Sequence, residues 1–311
     1  MSLCAIEQCD VHDIEKLRVF RDRRAQWIAW LDDRDPHSIW KQIGTMHWDA
    51  VLFRTINDLR RAANERPTAA IGFNQPVIRL FDAGFVATQA LAIRRLTDPP
   101  GRDPDKGVVS VRRLLQDIRD NLSCITREGY VCHDGIPYER APADVPAHGG
   151  WVSEASAAPR LRHEAFYVFA KTTSPGTRSR SDVLPVDWLD QLSSRLSVCD
   201  DVRIYVDKFI AHAADRSSRE DLDDRQTGIT LDQLKKCHRA IYRVAAFIYG
   251  PLLQEGSYGA MPVSQYDQLE NLDKSWVGPE TKDFAHDCWQ RHERAVEEWT
   301  SEDLWSLIGR A

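Results

Sequence analysis

The residues best suited by type and spacing to do chemistry lie in "VRIYVDKFIAHAAD", residues 202–215. At about 100° per residue of helix, Val202, Tyr205, Val206, Phe209, Ile210 and Ala213 share one apolar face. Lys208, His212, Asp215 and Arg219 fall within about 60° of one another, roughly 90–130° from the centre of that face. A His and a Lys on one flank suit phosphodiester chemistry. His212 would act as general acid or base toward the ribose 2'-hydroxyl, and Lys208 would stabilise charge on the phosphate. Asp215 would orient the imidazole. Such a site needs no metal and no other cofactor. Arg203 points nearly opposite to His212, and Asp207 lies on the solvent side. The competing reading is an ordinary solvated edge on an amphipathic helix, which most helices of this kind show.

The elements that must position this flank are helical throughout. Ile14, Leu17, Phe20, Trp27, Ile28 and Leu31 mark a first helix over 13–32. Asp35 reads as an N-cap with Pro36 at the first helical position of a helix over 36–65. Residues 76–97, "PVIRLFDAGFVATQALAIRRLT", are apolar almost all round, a pattern expected of a central, buried helix. Ser110 can cap the next helix, which carries Val111, Leu114, Leu115 and Ile118. The stretch 128–160 loses helical periodicity and reads as a long loop, as does 172–184. Pro185 opens a helical stretch to about 217, with an interruption near 199–201. Thr230 caps a helix whose Leu234, His238, Ile241, Ala245, Ile248 and Leu252 form an a/d seam. A helix over about 280–299 and a short one after Thr300 complete the chain. The expectation is an all-α antiparallel helical bundle over 35–255, with helical extensions over 1–34 and 256–311.

Composition narrows the setting. The 311 residues are 42% hydrophobic with a net charge of −6, enough for a sizeable core and too acidic for a general nucleic-acid coat. No run of 18 apolar residues and no secretory signal pattern is visible, so a cytoplasmic protein without a membrane partner is expected. Seven scattered Cys, at 4, 9, 124, 132, 199, 237 and 288, suggest reduced thiols rather than a disulfide framework.

Three fragments in order carry a resemblance. They are "ALAIRRLTDPP" at 90–100, "SVRRLLQDI" at 110–118 and "VDKFIAHAAD" at 206–215, followed by the helix 230–252. Together they resemble the HEPN superfamily of helical bundles, in particular its abortive-infection (AbiU-like) branch in bacteria, over roughly residues 35–255. The resemblance implies an antiparallel four-helix core, frequent homodimerisation, and metal-independent endoribonuclease activity in many members. It also implies a phage-defence or toxin–antitoxin setting. The family's active motif is an Arg, four to six residues, then a His. His212 matches the His, but Asp207, Val206 and Tyr205 stand where the Arg belongs. Arg203 is too far back and Lys208 too close, and lysine lacks the bidentate fork of arginine.

The expected partners are therefore RNA, a cognate antitoxin or other protein, and a second copy of the chain. Arg95, Arg203 and Arg219 are the candidate RNA contacts, with Asp98 and Asp207 as neighbouring carboxylates. Arg94 and Arg95 also sit favourably at the negative end of a helix dipole, and Asp98 before Pro99 is an ordinary turn residue. A catalytically silent RNA- or protein-binding bundle and a homodimeric scaffold are the alternatives to a nuclease. Trp40 and Trp48 add apolar surface outside the main stripe of their helix and mark a candidate dimer or domain contact. "RSRSD" at 178–182 is a short basic loop able to touch phosphate. Zinc is not expected: Cys132 and His133 are poorly spaced for joint ligation, and Cys288 with His292 makes only two ligands.

Overall fold

The computed structural model describes residues 4–65, 74–101, 107–139, 154–170, 178–212, 214–263, 266–272, 274, 278 and 281–298. The described residues are all-α; an isolated antiparallel bridge between Thr126 and Val183 is the sole extended pairing among them. The chain divides into two compact units, residues 1–262 and 263–311. The second contains α11 (Lys282–Glu297), which buries no side chain. The expected helix after Thr300 lies outside the described residues.

The first unit begins with α1 (Ile14–Leu31), capped by Asp13, whose side chain accepts from the Lys16 N–H. Leu17, Phe20, Trp27 and Leu31 are buried in the main core, so this helix is continuous with the bundle after it. The Trp27 indole N–H is satisfied inside that core by Asp117, 2.7 Å away. Helix α2 (Ile39–Asn64) starts later than expected. Ser38 is its N-cap, and Asp35 accepts from the His37 N–H at 2.7 Å in the preceding turn. Trp40 is buried, stacked on Tyr258 and edge-on to Tyr242 and Tyr249, so it builds core rather than an outer contact.

Helix α3 (Gln75–Thr97) is capped by Asn74, and α4 (Val111–Asp120) by Ser110, as its sequence leads one to expect. Helix α10 (Leu231–Phe247) opens with a capping box of Thr230 and Gln233, and its a/d seam is buried along its whole length. A π turn, Ile248–Leu252, comes next, where Gly250 and Pro251 interrupt the α pattern.

Only half of α3 is in the core. Gln89, Ala90, Ala92, Ile93, Leu96 and Thr97 are buried, whereas Val77, Leu80 and Phe81 are exposed, Leu80 by 75%. The reason is the offset of its neighbours. The Arg54 guanidinium donates to the Leu231 carbonyl at the very start of α10, so α2 beyond Arg54 runs past that helix. From Phe53 onward α2 packs on α3 through stacked Phe53, Phe81 and Phe85 and the Arg60–Asp82 ion pair. All-round apolarity shows that a helix is sticky, not which end is covered. By length and composition α3 is also able to cross a membrane. Its exposed half nevertheless carries Arg79 and the ion-paired Asp82.

The expected loop 128–160 is largely ordered structure where it is described. Helix α5 (Arg127–Cys132) is buried at every residue, and α6 (Glu154–Ala170) begins before 160. Glu128, 3% exposed, accepts from the His12 and Asp13 N–H groups, both at 2.9 Å. Arg127 lies over the rings of Phe166 and Tyr167 and pairs with Asp182 at 2.9 Å. The Tyr130 hydroxyl donates to the Pro251 carbonyl at 2.6 Å. Residues 140–153 and 171–177 lie outside the described residues.

Burial holds the rings of His133 and His238 at about 3, against an ordinary 6.5. Between those values the unfolded chain binds protons that the native chain refuses, so stability is full above 6.5 and falls as pH drops toward 3. Each pKa unit is worth about 1.4 kcal/mol, which makes the loss about 2–3 kcal/mol per histidine by about pH 4.5. Calorimetric Tm values at neutral and mildly acid pH should show this fall, with His238→Leu shrinking it. A Tm indifferent to pH over that range would contradict the assignment.

Candidate functional site

Helix α7 (Asp187–Arg195) passes through a 3-10 turn, Leu196–Cys199, into α8 (Asp200–Tyr205). Val202 and Val206 bury the core side of α8, and the rings of Tyr205 and Phe209 stack 5.1 Å apart. The helix then widens into a π turn, Val206–Ile210, closed by the Ala211 N–H on the Val206 carbonyl at 2.8 Å. It does not continue to 217. His212 is exposed, beyond the helix end, and makes no hydrogen bond or ion pair with the described residues. Ala213 lies outside them.

The expected stripe is therefore not assembled. Asp215 is engaged by other donors: it accepts from the Ser217 hydroxyl at 2.9 Å and the Ser218 N–H at 2.7 Å. The Ser218 N–H, then the Ser217 hydroxyl, hold the Asp215 carboxyl below its usual range. The Lys208 ammonium donates to the Ser218 hydroxyl. Arg219 donates to the Asp215 carbonyl at 3.2 Å and reaches over the Phe209 ring. Short polar side chains compete here with the helix for backbone donors, which ends it. Two further candidate residues are placed as follows. Asp207 is half-buried and paired, not on the open solvent side, and Arg95 is exposed and faces away from the pairing that Arg94 makes.

What the fold does build is a chain of ion pairs joining α3, α4 and α8. Arg94 donates through Nε to Asp207 at 2.7 Å and through Nη1 to Asp98 at 3.1 Å. Arg203 and Arg112 share Asp200, at 3.3 and 2.6 Å, and Arg112 also donates to the Leu196 carbonyl. The bond to Asp207 pushes the Arg94 guanidinium above its ordinary value. Burial pushes the Asp98 carboxyl up, against the pull of Arg94 and Arg203. Sequence reasoning passes over Arg112 and Asp200 and marks Arg94 only as a favourable charge at a helix end. The i, i+4 spacing of Arg94 and Asp98 and the i, i+3 spacing of Asp200 and Arg203 are local signals, but nothing local links Arg94 with Asp207, 113 residues on.

Comparison with family models, curated proteins and solved structures finds no match. The chemistry must be judged from the site itself. Every arginine of the α3–α4–α8 chain is matched by a carboxylate, so the cluster offers no concentrated positive field. The basic loop 178–182 is likewise committed: Arg178 pairs with Glu139, and Arg180 pairs with Asp10 and approaches Glu128. Beside that loop lies an open cleft of about 530 Å³, lined by His12, Asp13, Glu128, Ser179 and Arg180, in which carboxylates balance the one arginine. Among the described residues no group of three His, Cys, Asp or Glu is placed to hold a metal ion.

The Arg94–Asp207 pair is partly exposed, so its coupling should be about 0.5–1 kcal/mol in a double-mutant cycle of Arg94→Met and Asp207→Asn. Urea unfolding measures it. His212→Ala, by contrast, should leave stability unchanged within about 0.5 kcal/mol, and a larger loss would show that the imidazole has a structural partner.

Proposed function

We propose that the protein is a HEPN-like helical bundle of the abortive-infection kind that does not cleave RNA and acts by binding protein, beginning with a second copy of itself. The observation that carries the reading is the state of the His212 edge. General acid–base catalysis needs an imidazole held against its substrate and oriented by a neighbour. His212 stands in solvent with no orienting partner among the described residues, and Asp215 is occupied by Ser217 and Ser218. The three positions that could carry the family's Arg hold Asp207, Val206 and Tyr205, and Asp207 is a carboxylate that holds Arg94. RNA affinity draws on cations free to displace counterions from phosphate. Arg94, Arg112 and Arg203 are already neutralised within the protein.

The homodimer is supported by the α2–α3 arm. Val51, Leu59, Val77, Leu80 and Phe81 are exposed on an antiparallel helix pair, beside a cleft of about 280 Å³ lined by Leu52, Phe53, Phe85 and Gln89. A two-helix arm with an uncovered apolar seam is half of a four-helix bundle, and a two-fold mate supplies the other half.

Two measurements test the silent site and the dimer separately. RNA cleavage in EDTA, on mixed tRNA and unstructured RNA, should be absent and equal for the wild type and His212→Ala. His212-dependent cleavage would overturn the silent reading. Light scattering on the eluting protein should give a dimer for the wild type and a monomer for Leu80→Glu, a change on an exposed side chain that leaves the core intact. A monomeric wild type would sink the dimer.

A further inference from the structure

The N-terminal segment ahead of α1 holds a thiol pair that the His212 edge and the arm do not involve. Cys4 and Cys9 bring their sulfurs to 2.8 Å, and one guanidinium serves both. Arg21 Nη2 donates to Cys9 Sγ at 2.9 Å and to Cys4 Sγ at 3.3 Å. The rest of Arg21 is fixed: Nε donates to the His133 carbonyl at 2.6 Å and Nη1 to the Cys4 carbonyl at 3.0 Å. Cys4 is also seated from its far side. Gly135 has φ +96°, and a Cβ there would come within 2.7 Å of the Cys4 sulfur. The position takes glycine for two reasons, backbone and space.

The two thiols are not equivalent. Cys9 is buried, and burial pushes its thiol up to about 11, so it keeps its proton and donates to Cys4. That bond, followed by the contacts with Arg21, lowers the Cys4 thiol below its ordinary value, while Asp134 opposes the shift. Cys4 is only partly buried and open to a small reagent. A reachable sulfur under a guanidinium, with a second sulfur in touch, is the arrangement of an attacking and a resolving cysteine. By contrast Cys124, Cys132, Cys199 and Cys237 are all buried, and Cys288 stands on α11 without a second thiol among the described residues.

We propose that Cys4 and Cys9 form a peroxide-reactive site that closes to a disulfide. The Cys4 thiolate attacks a peroxide oxygen; the S–O bond forms as the O–O bond breaks, leaving a sulfenic acid and hydroxide, which takes up a proton to become water. Cys9 then attacks the Cys4 sulfur. The S–S bond forms, the S–O bond breaks, and the departing hydroxide leaves as water with the Cys9 proton. Two thiols lose two electrons and two protons, and the peroxide is reduced to two molecules of water. A disulfide needs its sulfurs about 2.05 Å apart, so closure asks for a shift of well under an ångström at each residue.

Peptide mapping of the full chain tests this. Residues 1–16 form one tryptic peptide with both thiols and no internal Lys or Arg. After brief treatment with hydrogen peroxide and then alkylation, that peptide should have lost two hydrogens and taken up no alkyl group. The native chain should react at least about fivefold faster than the same chain in urea, where the thiols are ordinary. In Cys9→Ser the intermediate should persist as a sulfenic acid on Cys4, trapped by dimedone. A peptide that stays alkylated at both positions, or reacts no faster than in urea, overturns the proposal; so does a Cys9→Ser chain that traps nothing.

Discussion

The first unit is organised around a pair of opposite charges that it buries. Arg127 and Glu128 open α5 at 2% and 3% exposure, and each is held by a different part of the chain. Glu128 fixes the approach to α1 through two backbone N–H groups, while Arg127 is clamped between the aromatic rings of α6 and Asp182. The backbone is fixed as well, with the Arg127 and Glu128 N–H groups donating to the carbonyls of Asp182 and Arg180. Removing the partner of either would leave its charge buried and uncompensated, at a cost of about 3–5 kcal/mol. A six-residue helix thereby sets where α1, α6 and the segment 178–183 can lie. The C-terminal half of α5 and its cap extend this control, because Tyr130 ties the end of α10 and the His133 carbonyl anchors Arg21.

Against that fixed base, the long helices differ in how completely they are covered. Helix α10 is packed by α2, α3, α4 and α7, and its seam is buried throughout. The pair α2–α3 outruns it at one end. At the other end α3 meets the π turn after α8 through the Arg94–Asp207 ion pair as well as through apolar contact. Partly exposed pairs of this kind add little stability. Their effect is on register, since Arg94 reaches Asp207 and Asp98 at once only when α3 and α8 are correctly aligned.

Much of the helical skeleton was legible in the sequence because its signals are local. Ser110 and Thr230 announce their helices, and the a/d seam of α10 is a matter of spacing. The failures share a different cause. The stretch from 128 reads as loop, and Arg127 and Glu128 carry charges that are normally solvated, so nothing local marks α5 as core. The exposure of Leu80 depends on where α10 begins, which is a property of another helix. At the candidate site, the spacing of Lys208, His212 and Asp215 was read on an ideal helix. A π turn intervenes, and beyond it Asp215 and two serines offer the backbone an alternative to helix. Counting residues to a histidine measures distance in space only while the helix under the count stays regular.

Helix α3 is an uninterrupted α-helix from Gln75 to Thr97, held at its far end and, among the described residues, exposed along its first turns. Leu80 and Arg94 are about 21 Å apart along it at 1.5 Å per residue. A stiff rod clamped at one end is a lever. Whatever seats itself on the apolar arm applies torque to the end that carries Arg94, and the joint it loads is the short contact between that guanidinium and Asp207. The exposed arm and the interior of the bundle are thus mechanically in series.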